Sequence, residues 1–160
     1  MKQINIGALI IALLIPLLVG ALSAAISAKG MNDYGTMSKP PLSPPAWAFP
    51  VAWTILYIMM GLASYCVYVS ESGFGNKTLA LLLYCVQLGM NFMWSIIFFN
   101  ANEYLLAFVW LIVMWCIVIF CAVRFWNISR MATCLFIPYI AWLTFAAYLN
   151  LGTYIISIKS

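Results

Sequence analysis

The segment that decides the fold runs from Tyr34 to Tyr57 and reads YGTMSKPPLSPPAWAFPVAWTILY. Pro40, Pro41, Pro44 and Pro45 each fix φ and remove a backbone donor, so this stretch forms neither an ordinary helix nor a central strand. It leads straight into an apolar run whose first turns carry Trp47, Phe49, Trp53 and Tyr57. A plain connector between two helices needs no such stiffness. A lid over an aromatic pocket gains from it, because a preorganised loop loses less entropy when it orders over a ligand.

The surroundings of this segment are strongly apolar. The 160-residue chain is 67% hydrophobic and 6% charged, with a mean hydropathy of +1.08. Soluble domains carry about a quarter charged residues, so the composition is that of a membrane protein. The seven basic and three acidic residues separate five charge-free runs, at about 4–28, 47–69, 78–99, 104–123 and 132–158. Each is close to the ~20 residues that carry a helix across the hydrocarbon. The expected fold is therefore an all-α bundle of five transmembrane helices in a single domain over 1–160, with the loop 29–46 as lid. A β-barrel would show ten-residue alternating segments instead.

The first run exceeds the core of a usual signal peptide and reads as a retained helix. Its Gly20, Ala24 and Ala28, four residues apart, form a small-residue face suited to close helix packing. Five spans put the termini on opposite sides. Lys2, Lys77, Arg124 and Arg130 lie on the N-terminal side, and Lys29, Lys39 and Lys159 on the other. That bias points to a cytoplasmic N-terminus and an external C-terminus.

The five cysteines all fall inside apolar runs without a Cys-x-x-Cys pair, as packing residues do. There is no histidine and no carboxylate within any run, so the sequence offers no metal site, no catalytic residue and no obligatory cofactor. The net charge of +4 is spread along the chain and gives no nucleic-acid footprint.

Helical spacing marks the inside of the bundle. In the third run Gln87, Asn91, Trp94, Ser95 and Phe98 share one face. An amide turned to lipid would go unsatisfied at a cost in free energy, so this face points inward, to other helices or to a ligand. Trp53, Tyr57, Gly61, Ser64 and Tyr68 form a similar stripe on the second run, and Pro138, Trp142, Ala146, Asn150 and Thr153 on the fifth. The fourth run has almost no polar group apart from its indoles, and is expected to be the most lipid-exposed helix or to lie at a subunit interface. Its Trp110, Trp115 and Trp126 read as packing or interfacial anchors.

Three motifs carry a resemblance. The first is Tyr34-x-x-Met37-x-Lys39-Pro40-Pro41-x-x-Pro44-Pro45-x-Trp47-x-Phe49-Pro50-x-x-Trp53-Thr54-x-Leu56-Tyr57-x-x-Met60-Gly61. The second is Gln87-Leu88-x-x-Asn91-Phe92-x-Trp94-Ser95-x-x-Phe98-Phe99. The third is Pro138-Tyr139-x-Ala141-Trp142-x-x-Phe145-Ala146-x-x-Leu149-Asn150. Together they resemble the TspO/MBR family, the tryptophan-rich sensory proteins related to the mitochondrial translocator protein, over about residues 20–155. The chain departs from common family patterns at Asp33, Ala46 and Ile96. The resemblance implies a five-helix bundle, often a homodimer, whose first loop covers a pocket for porphyrins and other flat aromatic ligands. It implies a ligand-binding set of Tyr34, Trp47, Trp53, Tyr57, Asn91, Trp94, Trp142, Phe145, Ala146 and Asn150, to which the inward stripe adds Gln87. Some animal members bind cholesterol, and Leu151, Tyr154 and Lys159 loosely echo the family's sterol motif, a pattern that short segments match easily.

The expectation is an integral protein of a bacterial cell membrane that acts as a receptor or sensor for tetrapyrroles. The lipid bilayer, the tetrapyrrole and a sterol or lipid are its expected partners. Two alternatives stand beside it: light- and oxygen-dependent porphyrin breakdown, and passive carriage of porphyrin or lipid.

Overall fold

The computed structural model describes residues 4–159. Among them there are five long helices and no strand: α1 (Ile6–Thr36), α2 (Ala48–Tyr68), α3 (Phe74–Ser95, continued by the π-helical turn Ile96–Asn100), α4 (Tyr104–Trp126) and α5 (Arg130–Ser157). All five are long and apolar enough to cross a membrane. The short connections Ala101–Glu103 and Asn127–Ser129 make consecutive helices antiparallel neighbours. Around the bundle the order is α1, α2, α5, α4, α3, closing again on α1.

Helix α1 continues eight residues beyond the expected end at Ala28, through Lys29 and Asp33 to Thr36. Its 31 residues span about 46 Å, against ~30 Å of hydrocarbon. The end of an apolar run marks where lipid stops, and a helix is free to go on into the interface. The loop therefore begins at Met37, and Tyr34 stands on a rigid helix.

Close approach between α1 and α2 has a backbone cause. Pro16 lacks the N–H that would bond the Ala12 carbonyl. Gly61 of α2 lies against that carbonyl: a Cβ at Gly61 would sit 2.7 Å from Ala12 O and 2.9 Å from Leu13 Cα.

Helix α4 corrects the expectation from polarity. It buries a stripe that includes Ala107, Leu111, Met114, Val118, Cys121 and Phe125, whereas α1 buries only Pro16, Ser23 and Ser27. The most lipid-exposed helix is thus α1. In a wholly apolar helix, hydropathy does not separate the face that meets lipid from the face that meets protein.

Trp110 and Trp115 are tied into the bundle. The Trp110 Nε1–H donates to Met90 O at 2.9 Å, and that of Trp115 to Thr144 Oγ1 at 3.0 Å. Trp126 is exposed and carries Arg130 over its ring at 5.2 Å.

Candidate functional site

Four of the five helices converge on one partly open cavity of about 110 Å³. Gly20, Ser23, Ala24, Met31 and Tyr34 contribute from α1, and Phe49, Pro50, Trp53 and Tyr57 from α2. Trp94, Ser95, Phe98 and Phe99 come from α3 and its π turn, and Trp142, Phe145, Ala146, Leu149 and Asn150 from α5.

The aromatic walls are set by local geometry. Trp53 meets Trp142 edge-on at 6.4 Å and stacks on Tyr57 at 5.4 Å. Trp142 meets Phe49 at 6.1 Å and Phe145 at 5.9 Å. Across the cavity Trp94 stacks on Phe98 at 5.1 Å and meets Phe99 at 6.0 Å. The wide π turn, closed by Ala101 N–H to Ile96 O at 3.0 Å, brings both phenylalanines around Trp94 and Tyr34. Edge-to-face and offset rings are the preferred aromatic arrangements, and each such contact adds about 0.5–1.5 kcal/mol beyond area burial.

Of the eleven residues expected to bind ligand, eight border this cavity: Tyr34, Trp53, Tyr57, Trp94, Trp142, Phe145, Ala146 and Asn150. Trp47, Gln87 and Asn91 do not. Trp47 precedes the first turn of α2 and turns outward, 69% exposed. Gln87 and Asn91 point inward as expected, but they are spent on protein groups.

Tyr57 Oη donates to Asn91 Oδ1 at 2.9 Å, and Asn91 Nδ2 donates to Tyr139 Oη at 3.3 Å. Tyr139 Oη in turn donates to Gln87 Oε1 at 2.8 Å, and Gln87 Nε2 reaches the Met60 sulfur at 3.7 Å. This chain joins α2, α3 and α5 behind the cavity. Asn150 plays the same part nearer the loop: its Oδ1 accepts from Trp94 Nε1 at 3.1 Å, and its Nδ2 donates to Tyr104 O at 2.8 Å. The buried amides therefore fix the cavity walls.

The proline loop straps the end of α5. Pro40 packs on Gly152, where a Cβ would meet its ring at 2.6 Å, and Tyr148 Oη donates to Pro41 O at 2.8 Å. Ser43 Oγ donates to Pro40 O at 2.7 Å and closes a tight turn, with Leu42 between them at φ 64°. That left-handed conformation is uncommon for leucine and is held by its flanks. Pro40, Pro41, Pro44 and Pro45 do not border the cavity; its rim on this side is Tyr34, Phe49 and Pro50. Tyr34 is fixed there by a 3.3 Å hydrogen bond to Thr153 Oγ1 and carries Lys39 over its ring at 5.6 Å.

Phe49, Pro50, Ser95, Phe98 and Phe99 also border the cavity and stand in the first two motifs, outside the expected ligand-binding set. The aromatic density of Trp94–Phe99 was the available signal. Met31 and Ser23 follow only from the length and rotation of α1.

Fold and cavity together define a five-helix integral membrane protein that encloses an aromatic pocket between four of its helices. The chain belongs to the TspO/MBR family, which it matches over residues 12–155. It is 37% identical to the translocator protein of Ovis aries over 126 residues, covering 78% of this chain and 75% of that protein. It is 35% identical to the tryptophan-rich protein TspO of Archaeoglobus fulgidus, covering 78% and 79%. Protein CrtK of Rhodobacter capsulatus is 33% identical, with 76% of each chain covered.

Proposed function

We propose that the cavity receives flat aromatic molecules, tetrapyrroles foremost, and that the protein acts as a membrane receptor or sensor for them. The observation that carries this reading is the convergence of indole and phenyl rings from α2, α3, the π turn and α5 on one apolar space. A porphyrin offers a broad π-face, and Trp and Tyr offer stacking surface with a polar tip. Among the described residues the indole N–H groups of Trp53 and Trp142 meet no protein acceptor, whereas those of Trp94, Trp110 and Trp115 do. The two free donors suit the polar edge of a ligand.

At about 110 Å³ the cavity is below the ~300–1,000 Å³ of typical ligand pockets. Binding a tetrapyrrole therefore requires the ring walls to move apart. Aromatic side chains held by ring contacts alone are the parts that can do so.

The fuller reading is a homodimer in a bacterial cell membrane, with the N-terminus cytoplasmic and the loop and cavity rim outside, as the distribution of basic residues favours. The test is a fluorescence-quenching titration of the purified protein with protoporphyrin IX in the dark. Saturable quenching at one ligand per chain is expected. Quenching that rises without saturation contradicts the reading.

A further inference from the structure

On their lipid side α2 and α5 part to leave a groove of about 490 Å³. Ala52, Ile55 and Met59 line it from α2, and Pro138, Ala141 and Phe145 from α5. With Leu56 and Trp142 the spacing in both sets is i, i+3, i+4, i+7, so each helix presents one face about 10 Å long. Both stripes lie inside membrane-spanning helices, where the surrounding medium is hydrocarbon. Ala52 and Ala141 open the gap by their small size. Trp142 and Phe145 border the groove on one side and the interior cavity on the other, so the two spaces share a wall.

We propose that this groove is a second binding site, separate from the cavity, for a single hydrocarbon chain of a bilayer lipid. Its walls are aliphatic, thioether, proline and aromatic groups, with no hydroxyl or carboxamide side chain to take the polar end of a sterol. It runs along the helices, as lipid chains run along the membrane normal, and covers about two-thirds of the ~15 Å depth of one leaflet. Met59, flexible and polarizable, adapts to a chain without a fixed shape. A chain lodged here backs Trp142 and Phe145 from outside and so bears on the wall that must move when the cavity fills.

The test uses the whole chain in bilayer nanodiscs containing a phosphatidylcholine with a diazirine midway along one acyl chain. After photolysis, cross-links are mapped by peptide mass spectrometry. Cross-links at residues 52–59 and 138–145 are expected to saturate at one lipid per chain as the probe fraction rises. Those on the exposed face of α1, at Ile10, Leu14 and Leu18, should rise in proportion to the probe. Ala141→Trp fills the groove and should remove the groove cross-links while α1 labelling stays the same; Ala52→Phe repeats the test from the other wall. Groove labelling that rises linearly like that of α1, or that survives both substitutions, overturns the proposal. So does displacement of the chain by a photoreactive sterol at equal mole fraction, which would make a ring system the occupant.

Discussion

The two halves of the bundle use the same helices in opposite ways. In the half away from the proline loop, Met60, Ala63, Val67, Ala80, Val118, Phe125 and Phe136 are each fully buried, and the interior is solid. In the half beneath the loop the same helices turn Trp53, Trp94, Trp142 and Phe145 around a void. The boundary between them is the hydrogen-bonded chain Tyr57–Asn91–Tyr139–Gln87. In the solid half Phe125 and Phe136 also meet edge to face, at 4.9 Å, but small and branched residues such as Ala63, Val67, Ala80 and Val118 fill the space around them. In the other half, large flat rings meet edge to face and leave the gap that a flat ligand would take. A scaffold stabilised at one end can afford an underfilled site at the other.

If the halves are separable, substitutions should sort by where they fall. The largest effect on stability is expected from Phe136→Ala, at about 3–5 kcal/mol, because a ring is removed from a closed core. Reversible unfolding in mixed micelles measures it, and ligand affinity of the folded fraction should stay near wild type. A parallel fall in affinity would break the comparison. Next comes Asn91→Leu, which strands the Tyr57 hydroxyl while Tyr139 keeps its bond to Gln87, and should cost about 1–3 kcal/mol of stability. As it sits on the boundary, it should also weaken protoporphyrin binding; an effect on one property alone would shift the boundary.

Replacing Pro40, Pro41, Pro44 and Pro45 together by Gly should weaken binding by about 1 kcal/mol while circular dichroism stays unchanged, because a flexible loop must be ordered at each binding event. Unchanged affinity in a folded variant would remove the loop from the site. The smallest effect is expected from Trp53→Phe, below about 1 kcal/mol in affinity, since most ring area survives and one indole N–H is lost.

The helix count and the inward polar stripes were legible in the sequence. Charge-free runs give the spans because lipid excludes charge, and Gln87, Asn91 and Asn150 had to face inward because lipid offers amides no partner. The hollow half was legible in its residue types more than in its geometry. That Tyr34 stands on α1 depends on a helix outlasting the membrane, which hydropathy does not register. The aromatic density of Trp94–Phe99 is visible in the sequence, but the π turn at Ile96–Asn100 that brings both Phe98 and Phe99 into the site is not. Trp47 has the residue type of a pocket wall, but the start of α2 turns it outward, and the buried stripe of α4 is hidden in a helix with no polar contrast.

The central claim is that flat aromatic ligands occupy the hollow half, and Ala146 is its most direct probe. Ala146 lies on α5 one turn beyond Trp142 and one turn before Asn150, and borders the cavity. Protoporphyrin IX titrations should be run on wild type, Ala146→Val and Trp115→Phe, the last on the outer face of α4 with its N–H bonded to Thr144. A loss of about 1–3 kcal/mol in affinity is expected for Ala146→Val, the usual cost of overpacking a tight site, and almost none for Trp115→Phe. Wild-type affinity in a folded Ala146→Val protein, with binding abolished by Trp115→Phe, would contradict that claim and move the site to α4.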